Sequence, residues 1–205
     1  MPVNFRALLM LSAILTLSAC GASKALKSED EAAIDSISVA HEVMVENDPM
    51  VTGSEAALGM FFGVAGATAA AETQKTAGEK FSEFLKASGI DIREIVRQRF
   101  TAQLRQDPRY GPRLAEEGRH RFVLEVPAYG MNKTNTFSSQ WMVMLRINYQ
   151  LVSPDGKVLA QDWAMTSPFA KRMQFTTDEI QAKPHILQQA FEDAAAEVVA
   201  KLIKR

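Results

Sequence analysis

Between Trp141 and Leu151 the side chains alternate with a period of two. Trp141, Val143, Leu145, Ile147, Tyr149 and Leu151 fall on one face, and Met142, Met144, Arg146, Asn148 and Gln150 on the other. A helix would scatter these residues around its circumference, whereas a pleated strand sorts them to two sides. The chain must therefore build a sheet with one packed face and one wetter face. The strand predicted here runs from Ser139 to Val152. Ser153-Pro154-Asp155-Gly156-Lys157 reads as a tight reversal. Lys157 to Met165 returns as the hairpin partner, with Leu159, Gln161, Trp163 and Met165 on one side. Upstream, His120, Phe122, Leu124 and Val126 alternate with Arg121, Val123 and Glu125, and Pro127 points to an edge or a bulge. Ile34 to Val45 is rich in β-branched residues and is closed by Asn47-Asp48-Pro49.

Helical periodicity replaces alternation elsewhere. Glu72 to Arg105 reads as mostly helical, with Phe81, Phe84 and Leu85 on one face and a break at Gly89. Asp91 and Glu94 have the spacing of an acidic cap. Behind them Ile92, Ile95, Val96, Phe100 and Leu104 recur every three or four residues, opposite Arg93, Arg97, Arg99 and Gln103. A last helix, from about Pro184 to Leu202, carries a broad stripe through Leu187, Phe191, Ala194, Val198 and Leu202. Residues 167–183 read as a connection.

The order strand, helix, three strands, helix predicts an α+β fold. It is a two-layer sandwich in which a roughly four-stranded, mainly antiparallel sheet is covered by two amphipathic helices. One domain is expected over residues 34–205. The 205 residues carry 23 Lys and Arg against 24 Asp and Glu, which is no electrostatic footprint for nucleic acid. With a single cysteine, no disulfide forms within the chain, so the core must hold the domain together. Three histidines in separate elements lack metal-ligand spacing, and no metal or cofactor is expected.

An apolar insertion at 53–71 follows the first strand. Residues 56 to 71, AALGMFFGVAGATAAA, carry no charge, and Gly59 and Gly63 form a GxxxG spacing. Small residues at that interval let backbones approach closely. Two readings stand. Either the run around Gly59, Met60, Phe61, Phe62, Gly63 and Val64 contacts a membrane or a partner, or it packs on the domain itself. It is too short to span a bilayer as a helix. The outer strip Met142, Met144 and Arg146 is the second candidate contact surface.

The amino-terminal 21 residues, MPVNFRALLMLSAILTLSACG, join one arginine, an apolar core and a small-residue end. Leu17-Ser18-Ala19-Cys20 resembles the lipobox of bacterial lipoproteins. That resemblance implies a signal peptide at 1–19, removed rather than folded. It also implies acylation of Cys20 and attachment to a bacterial membrane through the acyl chains. Residues 20–33 would then be the lipidated terminus and a tether. Gly21 after the cysteine favours, by the same resemblance, the outer membrane facing the periplasm, with inner-membrane anchoring as the alternative.

The element order across residues 34 to 203 is similar to that of the lipoprotein that assists lipopolysaccharide export. More loosely, it is similar to small lipoproteins that activate peptidoglycan synthases or accompany envelope transporters. The glycine-alanine insertion looks more like a group of proteobacterial outer-membrane lipoproteins with GxxxG after the first strand. These resemblances imply architecture and carry over no binding residues. No nucleophile elbow and no phosphate loop occur in the sequence. The expectation is a non-catalytic binding or assembly module for an envelope protein or component. A lipid- or glycolipid-handling accessory is the alternative, marked by a closed apolar cavity. A hydrolase ranks third, and would need a histidine brought to a Ser, Asp or Glu in a polar cleft.

Overall fold

The computed structural model of the chain describes residues 23–52, 76–135, 138–167 and 172–204. In chain order, helix α1 (Ser28–Ala32) precedes strands β1 (Ile37–Val45) and β2 (Met50–Thr52). Helices α2 (Ala77–Ala87) and α3 (Ile92–Gln106) come next, followed by β3 (His120–Lys133), β4 (Trp141–Val152) and β5 (Val158–Met165). Helices α4 (Thr177–Ala182) and α5 (His185–Ile203) close the fold. The fold is α+β, with a five-stranded sheet packed against helices.

The hairpin strands pair as expected. β3 and β4 run antiparallel, as do β4 and β5. The other margin of β3 is shared. β1 lies parallel to its first half, with Ile37 opposite His120, and β2 lies parallel to its second half, with Met50 opposite Gly130. The sheet is thus four strands wide with a divided edge, and β2 is the strand that periodicity missed. β3 also continues to Lys133, past the expected end at Val126. Pro127 is tolerated inside this central strand because the register against β4 shifts between Glu125 and Ala128. The bulge absorbs the missing N–H. Asn47 Nδ2 donates to the Pro127 carbonyl at 2.9 Å.

The long helical reading of 72–105 resolves into two helices. Thr76 and Glu79 form a reciprocal capping box at the start of α2. Gly89, at φ 69°, ends that element in a conformation costly for residues with a Cβ. The Asp91 carboxylate then accepts from the Arg93 and Glu94 amides and starts α3. Glu94 does not reciprocate, because its carboxylate is taken by Arg97 and Gln98. Arg99 of α3 meets Glu192 of α5 at 2.6 Å. The expected connection at 167–183 contains α4, capped by Thr176 and Glu179.

Helices α2, α3 and α5 meet the same face of the sheet. Phe100 packs edge-on to Phe122 with ring centroids 5.2 Å apart, and Phe191 lies 6.5 Å from both Phe81 and Tyr129. Trp141, Leu145, Ile147 and Leu151 complete this face and are buried, as the alternation requires. Each such side chain contributes about 1.5–3 kcal/mol on burial. Among the described residues, no helix is long and apolar enough to cross a membrane.

The expected tether, 20–33, differs from Ser23 onward. Lys24 and Gln161 exchange both backbone hydrogen bonds, at 2.7 and 3.0 Å, as an antiparallel bridge on the free edge of β5. Ser23 Oγ donates to Asp162, Lys24 Nζ donates to the Val158 carbonyl, and Lys157 pairs with Asp30 at 3.2 Å. Arg113 donates to the Glu31 carbonyl at 3.0 Å, and Leu26 packs against the core. Backbone pairing holds this segment, which is why its polar, aperiodic composition gave no sign of order.

Candidate functional site

The outer face of the sheet carries one connected row of side chains across its strands. Register places Met44 of β1 beside Glu125 of β3, Glu125 beside Asn148 of β4, and Asn148 beside Trp163 of β5. Asn148 Nδ2 donates to Glu125 Oε2 at 2.8 Å, and Arg146 Nε donates to Asn148 Oδ1 at 3.3 Å. The Arg146 guanidinium lies 4.5 Å from the centre of the Trp163 ring, a cation–π contact. At the β1 end, the Glu125 carboxyl raises the pKa of Glu46, chiefly by a shared hydrogen bond and then by charge repulsion. Beside this row stand Met144, half-buried, and Met165, 43% exposed. The row offers a planar cation on an aromatic ring, flexible thioethers and a carboxyl pair. Such a surface can bind.

Of the expected strip, Arg146 and Met144 lie on this face. Met142 does not belong to an exposed strip. It is 8% exposed, and its sulfur sits 3.7 Å from Arg172 Nη2. The residues Leu17, Ser18, Ala19 and Cys20, and Gly59 through Val64, lie outside the described residues. Sequence reasoning missed Trp163, Glu125, Asn148 and Glu46 as members of the row. Folding the hairpin symmetrically about Ser153–Lys157 would set Asp162 against Asn148; the register shift between Leu151 and Val152 turns Trp163 to this face instead, and nothing in the sequence marks that shift. The pairing with β1 depends on a parallel contact that no local pattern announces.

A second polar cluster borders a recess of about 500 Å³ lined by Val143, Ser167, Met173, Asp193 and Lys201, among others. After β5 the chain leaves the sheet and returns at Phe175, which pairs with Trp141. The Val143 carbonyl falls in the gap, and Arg172 Nη1 donates to it at 2.6 Å. Nη2 donates to the Ser167 carbonyl, and Nε stands 3.5 Å from Glu197 Oε2, without a hydrogen-bond partner among the described residues. A guanidinium thus substitutes for a missing strand. Burial lowers the Arg172 pKa, opposed by Glu197. For Glu197, burial is the largest single influence and raises the pKa. Lys201, the Ser167 amide and Arg172 together outweigh it, and the carboxyl ends below its ordinary 4.5.

That sign fixes a pH dependence. A depressed folded-state pKa contributes stability in full above the unfolded value of 4.5, and loses it as pH falls through the folded value. Glu197→Gln is expected to cost about 2 kcal/mol near neutral pH, and the deficit should shrink towards about pH 3. Urea titrations of both proteins across that range check it; a deficit independent of pH would remove the ionised carboxylate as the cause.

The remaining chemistry is sparse. His120 Nδ1 lies 3.8 Å from Asp35 Oδ1, outside hydrogen-bonding reach, and the ring is buried on the packed face. His41 and His185 are exposed. Among the described residues, no group of His, Cys, Asp or Glu is placed to hold a metal ion. Around Phe100, Phe122 and Tyr149 the packing between sheet and helices leaves a space of only about 20 Å³, while a recess of about 430 Å³ lies between Val45 and Tyr129 of the sheet and Leu85, Ile90 and Ile92 of the helical side.

No protein-family model matches the sequence, and no curated protein matches it. Among solved structures, the chain is similar to a Xanthomonas campestris protein of the DUF330 family. The two are 13% identical with a TM-score of 0.44, over 82% of this chain and 81% of that one. That likeness is too distant to carry anything about function.

Proposed function

We propose that the chain is a non-catalytic lipoprotein of the bacterial envelope, held to the outer membrane by acyl chains on Cys20. Its domain acts as a binding or assembly module for a protein or another envelope component. The observation that carries the binding role is the asymmetry of the sheet. One face is packed by α2, α3 and α5, while the other presents the Glu46–Glu125–Asn148–Arg146–Trp163 row. The lipobox-like Leu17-Ser18-Ala19-Cys20 supports the anchor.

Mass spectrometry of the mature chain should find an amino terminus at an acylated Cys20, and Cys20→Ser should leave the protein unprocessed or move it to the soluble fraction. An unmodified thiol would end the lipoprotein reading. Cross-linking in intact membranes tests the surface. Glu125→Lys reverses the charge at the β1 end of the row and is expected to remove a partner captured by the parent while circular dichroism stays unchanged. Identical cross-links from both proteins would acquit this face.

A further inference from the structure

Resting on the acylated-cysteine reading, we propose that the carboxyl end of β5, around Trp163 and Met165, lies against the lipid headgroups of the anchoring membrane. The argument is one of length and direction. Lys24 pairs antiparallel to β5 opposite Gln161, so at Lys24 the chain heads, towards its amino terminus, in the direction of Met165. The contact of Ser23 with Asp162 keeps that direction one residue further. Only three residue steps separate Cys20 from Ser23, a reach of about 10 Å when fully extended. The steps from Asp162 to Met165 along β5 cover about the same distance. Acyl chains on Cys20 hold that residue near the hydrocarbon boundary, and the headgroup layer above it is about 5–8 Å thick. A leash of about 10 Å reaches only a few ångströms beyond that layer, which holds the margin of β5 against the headgroup surface.

The side chains at that margin fit such a surface. Trp163 belongs to the residue type that concentrates at membrane–water interfaces. Arg146, stacked on its ring, supplies a cation for lipid phosphates. Met165 is one of two large hydrophobic side chains substantially exposed among the described residues, and it shares the outer face with Arg146, its register partner. Docking at this margin leaves the β1 end of the row, at Glu46 and Glu125, turned away from the lipid.

Trp163 provides the test. The acylated protein is placed in vesicles of phosphatidylethanolamine and phosphatidylglycerol, with and without acyl-brominated phosphatidylcholine. A Trp163→Phe variant isolates the emission of Trp141, which is 1% exposed. The Trp163 share of the emission is expected to fall about twofold in brominated vesicles, and the Trp141 share to hold. Inserting about ten Gly and Ser residues between Ala22 and Ser23 should relieve most of the quenching, because the longer leash releases the margin. Equal Trp163 emission in both vesicle types, from protein whose mass includes the acyl chains, overturns the proposal and leaves the lipoprotein reading standing. Quenching untouched by the insertion overturns the claim that leash length imposes the contact. Protein with an unmodified Cys20 overturns both.

Discussion

Replacing Gly130 by alanine is expected to remove about 3 kcal/mol or more of stability, much of what a domain of this size has. Gly130 sits at φ 148°, which L side chains rarely adopt, and it faces Met50 across the parallel pair of β2 and β3. A Cβ there would stand 1.8 Å from the Met50 carbonyl oxygen and 2.7 Å from its carbon. Both atoms are backbone, so no rotamer relieves the clash. The pair must open, and with it the contacts of Val51 and Thr52 with Met131 and Asn132. Gly156 separates the two causes. Its φ is 84°, but nothing lies within 4 Å of its Cβ position. Gly156→Ala should therefore cost about 1–2 kcal/mol from backbone conformation alone. Urea unfolding of both variants measures the difference. Equal losses would mean that β2 does not press on Gly130.

Phe100→Ala should cost about 3–5 kcal/mol. Phe100 is fully buried where α3 crosses the packed face, edge-on to Phe122 and with its centroid 6.0 Å from that of Tyr149. Tyr110 closes the cluster against Phe122 at 5.5 Å. The existing space of about 20 Å³ means the surroundings have already closed up, so the lost ring leaves a cavity rather than a gap that neighbours can fill. Phe100→Leu restores most of the volume and is expected to cost less than about 1.5 kcal/mol. Thermal unfolding with near-ultraviolet circular dichroism tests the pair. An alanine variant no weaker than the leucine one would show that this cluster relaxes freely.

Much of the sheet was legible because each of its long strands has a buried and a wetter side. Trp141 to Leu151 announced both the strand and its packed face. Asp91 and Gly89 marked real helix boundaries, since capping and left-handed backbone are decided within a few residues. Three features were not legible, each for its own reason. β2 is three residues long, too short to show a period. Residues 23–33 dock through main-chain pairing and ion pairs, which composition does not encode. Met142 was assigned to an open face from alternation alone, but Arg172, thirty residues away, closes over its sulfur. The candidate surface was half visible: Arg146 and Met144 came from β4 itself, while Trp163, Glu125 and Glu46 join them only through pairing across strands.

The parallel edge has a further consequence for how the molecule assembles. Ile37 waits for a partner about eighty residues downstream, whereas β3, β4 and β5 can zip together through short reversals. The carboxyl-terminal hairpins are thus the natural nucleus, and the amino-terminal strands are latecomers that join a template already built. Until then β1 is an unsatisfied ribbon, open to pairing with another copy. The hazard for this chain lies in the interval before its first strand finds its place, and any helper that shields it should act on residues 37 to 45.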